Sequence, residues 1–553
     1  MSNSTMQSFD TLQQQYYHAW LRFHPEAAVD IGIADYAGKL RPYSSDDIGA
    51  LIALNNKMLS ALGEINSGEL AAAQKIDFQL TAGAVELELH DIEEQDWRLR
   101  NPLQYLPVDA LYQLLIRPIE GVHEALKHRL QAIPDHLRGA KLMLSQAPEQ
   151  VVPVWLEAAI AQSQAGAGFV RNMGRHPLIT HKFTNPARLQ PYFDEAAHAL
   201  EDFARFLEKG IGRHAQGNFA CGIERFERRL LRQHFLDVSA AQVLALGERL
   251  LADTHQQLLA QTRSMQGDED VQGLLAKIQQ QTPASATLLD HYRTRMRDSL
   301  QWLKKAKLVD IPAKQSLKVQ QTPAFMRPLI PFAAYEPPMP GDVEQHGWYY
   351  VSIDEHAQLH PEQNIFSIDL TCAHEAFPGH HLQFVTANQQ QNASPARLLH
   401  TSATLFEGWA LYSEDLAIEQ GMLDKDEHRF MLLRDRMWRA LRVIVDVSIQ
   451  TGQMTLEQAA ARMVDELGFD KNQAQSELGW YSSAPTVPLC YATGRELILQ
   501  LREHCVGQNS MALDAFHNKI LAQGSIALPL VISEMCGADV WQQLRTTVFE
   551  AGA

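Results

Sequence analysis

The stretch Thr371–His381, Thr-Cys-Ala-His-Glu-Ala-Phe-Pro-Gly-His-His, puts three imidazoles and a carboxylate within a few residues of one another. Zinc takes neutral imidazole and carboxylate ligands, and a catalytic zinc keeps one position for water. In the HExxH arrangement two histidines at i and i+4 share a helix face, and the glutamate beside the first is the general base. Here Pro378 stands where that second histidine would be. On an unbroken helix His380, at i+6, is turned by roughly 600° and points away from His374. His381, at i+7, returns to the face but sits about 10 Å along the axis. Neither can share an ion with His374 unless the helix breaks. Pro378-Gly379 supplies the break, because proline removes a helical hydrogen bond and glycine admits unusual dihedrals. The expected site is a HExxH expanded by two residues, with His374 and His380 as ligands and Glu375 as base. His381 is left to ligate, to orient a neighbour or to bind substrate.

A third ligand is expected downstream. Leu405–Glu414 carries Glu407 and Glu414 seven residues apart, hence on one helix face. Glu407 stands between Phe406 and Trp409, and a carboxylate in apolar company needs a partner. It is assigned to the metal. Glu414, two turns on, is expected beside a ligand or facing substrate.

The elements that must position these groups are mostly helices. In Tyr192–Ile211 apolar residues recur at three- and four-residue steps, and 238–262, 396–420 and 424–451 read the same way. Gly421 and Gly452 stand where helix stops belong. Thr322–Asp342 holds Pro323, Pro328, Pro331, Pro337, Pro338 and Pro340, so no regular helix persists there. Gly347–Asp354 is rich in aromatic and β-branched residues and reads as a strand just before the metal helix. No repeat and no separating linker is evident. The expectation is a mainly α, single helical unit with a cleft and a short β element. Residues 1–310 form an N-terminal helical part, and 311–553 a metal-site part that is not independent.

Composition narrows the function classes. The chain has 553 residues, 46% hydrophobic and 20% charged, an ordinary globular balance. A net charge of −17 disfavours nucleic acid and anionic membranes as partners. No apolar run approaches the ~18 residues that span a bilayer, and the first ten residues lack a secretory pattern. A cytoplasmic location is expected. Five scattered cysteines form no CxxC pair, which argues against a disulfide framework and a thiolate zinc site. Cys372 is expected to be a small buried residue rather than a reactive thiol.

The residues His374–Gln383, HEAFPGHHLQ, followed by Glu407–Glu414, EGWALYSE, resemble the bacterial family called domain of unknown function 885. Pro25–Gly32, Tyr491–Gly494 and Phe516–Leu530 extend the resemblance over nearly the whole chain. That family is regarded as zinc hydrolases, distantly similar to helical metallopeptidases of the thimet-oligopeptidase and carboxypeptidase Taq type. Their Gly-His motif matches Gly379-His380, which favours His380 over His381 as ligand. Those peptidases use a tyrosine or histidine from the C-terminal part to stabilise the oxyanion. The resemblance thus points to Tyr491, with Tyr481 as competitor.

The function expected is metal-dependent hydrolysis of amide bonds by a carboxypeptidase or oligopeptidase acting on short peptides. One zinc ion is expected, and manganese, cobalt or iron would also suit the ligands. Arg495 is the candidate for a substrate carboxylate. Tyr350 on the predicted strand and His381 are further substrate-binding candidates. His517 is expected either to face the site or to cap a helix, and the chain to act as a monomer or homodimer. Two other readings remain: an amidohydrolase on non-peptide amides or isopeptides, and a non-catalytic helical protein with a structural metal.

Overall fold

The computed structural model describes residues 2–175, 179–180, 183, 185–323, 327, 333–353, 359–390 and 393–550. With 71% of the chain helical and one small sheet, the fold is mainly α. Eight helices and three strands concern the site. They are α1 (Ala240–Gln266), α2 (Leu288–Ala306), β1 (Ser316–Gln321), β2 (Ala333–Glu336), β3 (His346–Val351), α3 (Ile365–Glu375), α4 (His380–Ala387), α5 (Ala403–Glu419), α6 (Asp426–Gln450), α7 (Lys471–Ser483) and α8 (Cys490–Arg502). Among the described residues no helix is long and apolar enough to cross a membrane.

The long α6 is buried on almost every face, as the apolar residues spread around it between 430 and 449 require. It packs along α1 on one side and against α3, α7 and α8 on others. The N- and C-terminal halves share side chains in one core: a single cluster holds Phe9, Leu80 and Leu230 together with Leu405, Trp409, Ile498 and Phe549. A second cluster, built from Tyr105–Ile211 with Val29 and Ala37, reaches the sheet through Tyr350.

Helix ends follow local chemistry. Gly421 and Gly452, both left-handed at φ 72° and 75°, terminate α5's and α6's runs as expected. The single helix expected over 396–420 is two. Pro395–Leu399 ends at His400, and Ser402 starts α5 by accepting a hydrogen bond from the Thr404 amide at 3.3 Å. A serine that caps a new helix competes with continuing the old one.

The β element is larger than the sequence suggests. The strand expected over 347–354 is β3, His346–Val351; Ser352 and Ile353 lie beyond it, and Asp354 lies outside the described residues. β1 runs parallel to β3 and β2 antiparallel, in the order β1-β3-β2. β2 falls inside the proline-rich stretch, whose Pro328 and Pro331 lie outside the described residues. Ala333–Glu336 contains no proline, and Pro337 follows at once, a placement that an edge strand tolerates.

Candidate metal centre

The break in HEAFPGHH is built as its residues demand. Asn364 caps α3 by accepting from the Phe366 and Ser367 amides at 3.2 and 3.0 Å. The helix ends after Glu375, and α4 starts at His380. Gly379 lies so close to the end of α3 that a Cβ there would sit 1.7 Å from the His374 carbonyl oxygen. No side chain fits, so only glycine lets the chain fold back tightly enough to return His380 to His374. The Trp409 indole donates to the Pro378 carbonyl at 2.8 Å and ties the turn to α5.

A second close approach sets the other half of the site. A Cβ on Gly408 would meet the Gly494 backbone at 2.6 Å, and one on Gly494 would meet the Thr404 carbonyl oxygen at 2.1 Å. Helices α5 and α8 therefore touch backbone to backbone. That contact brings Glu407, beside Gly408, to Tyr491, one turn before Gly494. From α6, Asp446 accepts from the Thr486 and Leu489 amides, both at 3.3 Å, and holds the turn that starts α8.

The result is a cavity of about 400 Å³ lined by His374, Glu375, His380, Glu407, Glu414 and Tyr491 among others. One donor atom each from His374, Glu375 and His380 lies within 4.8 Å of the other two. Glu407 Oε2 is 3.2 Å from His380 Nε2 and 3.8 Å from His374 Nε2. Two carboxylates thus border the imidazoles. Glu407 is wedged between both rings, as a ligand would be, while Glu375 directly follows His374 in the chain. In a tetrahedral zinc site with bonds of about 2.0–2.2 Å, ligand atoms stand about 3.3 Å apart. The separations of Glu407 from His380 and His374, 3.2 and 3.8 Å, lie near that edge. Glu407 Oε2 is also buried without a hydrogen bond, a cost a cation would relieve.

The surrounding groups support the same geometry. His374 Nδ1 is 2.7 Å from Glu414 Oε1, which leaves Nε2 facing Glu407. A carboxylate behind a ligating histidine fixes its tautomer and ring orientation. His380 Nδ1 has no such partner. Burial, with the His380 charge, pushes His374 well below its usual range, toward the neutral form a metal binds. Burial, reinforced by Glu407, lifts the Glu375 carboxyl to about 7. Burial also opposes the Glu407 anion, but His380 outweighs it and Glu407 is lowered. Tyr491 pairs with the Glu407 carboxylate, and its ring stacks at 6.5 Å on His374.

The other candidates are placed differently. His381 is wholly buried outside the cavity lining, with Tyr335 hydroxyl on Nδ1 and Gln315 Oε1 on Nε2, each at 3.0 Å. It holds Tyr335, whose ring stacks on His380, and does not face substrate. Tyr350 is buried and bonds the Tyr112 hydroxyl at 2.6 Å, in the second core rather than the cleft. Arg495 is absent from the cavity lining, and its guanidinium is engaged by Asp415 and Glu496. Tyr481 holds Arg442 at 2.7 Å from beneath the cavity. His517 bonds the Tyr412 hydroxyl and the Leu308 carbonyl, both at 2.8 Å, so it ties α5 to the chain after α2. Cys372 is buried, and burial raises its thiol well above the usual range.

Strand pairing bears on substrate binding. The predicted strand that carries Tyr350, β3, is the middle strand with both edges used, so it is closed to an added peptide strand. Ala333, Ala334 and Tyr335 of the edge strand β2 line the cavity instead. The sequence reading also missed Trp438, Arg439 and Arg442 on α6. Their signal was available: arginines recur at three-residue steps, at 436, 439 and 442, on a helix that also carries the apolar groups 430–433, 440–441 and 443–445.

The chain belongs to the family of bacterial proteins of unknown function DUF885, whose profile matches residues 25–535. No protein with a curated description matches it. Two solved structures share its fold. One, titled a "putative lipoprotein of unknown function" from Shewanella oneidensis, is 19% identical, with a TM-score of 0.76, over 95% of this chain and 99% of its own. The other, titled a "putative lipoprotein" from Colwellia psychrerythraea, is 17% identical, with a TM-score of 0.79, over 98% of this chain and 99% of its own. At these identities the likeness concerns the fold alone.

Proposed function

We propose that this DUF885 member is a zinc-dependent hydrolase that cleaves the amide bonds of short peptides. The observation that carries the reading is the meeting of two buried imidazoles and an unsatisfied carboxylate at ligand spacing, with a second carboxylate beside them in a cavity. His374, His380 and Glu407 would hold the ion. When bound, zinc acidifies water and polarises a carbonyl. Glu375 takes the proton from the attacking water and passes it to the leaving amine. Tyr491, one helix turn from the α5–α8 contact, donates a hydrogen bond to the oxygen that becomes negative. Glu414 keeps His374 in its ligating orientation. β2, an edge strand among the described residues, offers backbone groups to an extended peptide.

Metal analysis of the purified wild type and His374→Ala tests the site. Stoichiometric zinc in the wild type and its loss in the variant are expected. Equal metal in both, or none in either, rejects the reading. A panel of free, blocked and side-chain-linked amides separates peptidase from amidohydrolase action.

A further inference from the structure

We propose that Arg439 binds the terminal carboxylate of the substrate, so that the cavity selects peptides with a free C-terminus. This rests on the hydrolase reading and adds the substrate class. Arg439 lines the same cavity as His374, Glu375 and Tyr491. Its Nε and Nη1 are buried and have no hydrogen-bond partner. The nearest charge partner, Asp435 Oδ1, is 3.7 Å from Nη1, too far for a hydrogen bond. The guanidinium lies over the Trp438 ring at 4.3 Å, which fixes its plane.

The neighbouring arginines are already engaged. Arg442, the other arginine on the cavity wall, donates to Tyr481 at 2.7 Å and to Glu477 at 3.1 Å. Arg436 pairs with Asp415. Of these three arginines, Arg439 is the one that combines a place on the wall with unmet donors. Buried N–H groups of a charged side chain are costly to leave unpaired. A planar carboxylate matches the guanidinium fork with two parallel bonds and relieves that cost. The cavity, about 400 Å³, has room for a short chain end between α6 and β2.

The competing duty is to neutralise the nearby Glu414 and Asp435. It predicts the same loss on every substrate, whereas a carboxylate anchor predicts loss on free acids alone. The test compares N-acetyl-Ala-Phe with its C-terminal amide. Turnover is followed in zinc-loaded wild type, Arg439→Gln and Arg439→Lys, and binding by calorimetry in each. The wild type is expected to favour the acid by about 10- to 100-fold in both readouts, the worth of charged hydrogen bonds. Arg439→Gln should erase the preference by weakening the acid alone. Arg439→Lys, which keeps the charge without the fork, should restore part of it and guards against a misfolded glutamine variant. No acid preference in wild-type binding, or equal losses on acid and amide, overturns the proposal. Selective binding without cleavage would leave the anchor standing and sink the hydrolase reading. Cleavage without selectivity would do the reverse.

Discussion

Glu88 and Glu375 are both carboxylates drawn away from bulk water, yet their surroundings treat them in opposite ways. Glu88, among the N-terminal helices, is 2.7 Å from His24, 2.7 Å from Asn55 and 2.9 Å from the Trp20 indole. Burial alone would raise its carboxyl, but the bonds and charge from His24, with those of Asn55 and Trp20, outweigh it and hold it at about 2. Glu375 is raised to about 7 by burial and by the Glu407 and Glu414 charges, which His380 and Arg439 only partly offset. The histidines repeat the contrast. His234 is wholly buried, with Ser402 on one nitrogen at 2.8 Å and Thr486 on the other at 3.1 Å. His374 has one nitrogen fixed by Glu414 and the other turned to a second carboxylate across a cavity. Burial of a polar group therefore does not mark a site. A constellation completed by protein partners holds the fold together, and one left incomplete beside a cavity is built to receive something.

Breaking the incomplete side should produce the largest effects. Glu375→Gln is expected to keep its zinc and lose about 10²- to 10⁴-fold in kcat, the usual contribution of a positioned base. Full activity in that variant, measured with metal content confirmed, would remove Glu375 from the reaction. Tyr491→Phe should lower kcat by about 10²- to 10³-fold with KM little changed, as loss of an oxyanion donor does. A matching drop in Tyr481→Phe would reassign that role. Glu414→Gln should weaken zinc affinity by about 10- to 100-fold, read by competition with a chelating dye, because His374 loses its orienting partner.

The completed side should answer in stability and not in chemistry. His234→Ala is expected to leave metal content unchanged and cost about 1–3 kcal/mol in urea unfolding, since Ser402 and Thr486 lose their partner. Glu88→Gln sharpens the contrast through pH. A carboxyl held below its unfolded value stabilises the fold above about 4.5, and that contribution disappears as pH falls toward about 2. The gap between wild type and Glu88→Gln, about 3 kcal/mol at pH 6, should close on acidification. A gap that is independent of pH would show that the lost bonds, and not the charge, carry the effect.

How far the site is legible depends on how local its causes are. Pro378 and Gly379 impose the break in the helix because their constraints act within a few residues, and the structure brings His374 and His380 together across it. The Glu407-Gly408 and Tyr491–Gly494 motifs carry the small residues that let two helices touch. Arg495 shows the opposite case. In sequence it stands next to a motif residue and looks available, but Asp415, eighty residues earlier in the chain, engages it. Tyr350 likewise meets Tyr112, which lies 238 residues away.

The amino-acid sequence by itself determined the helical class, the stops at Gly421 and Gly452, and the gathering of His374, Glu375, His380 and Glu407 around the cavity. These follow from side-chain period, backbone freedom and donor type, all of which act over a few residues. The tertiary structure alone decided that β3 is the middle strand and β2 an edge strand among the described residues, that His381 supports Tyr335, and that Arg439 rather than Arg495 faces the cavity. Those outcomes depend on which distant partner reaches a group first. A charge or an edge already matched across the fold is closed to a ligand, and no local pattern records that.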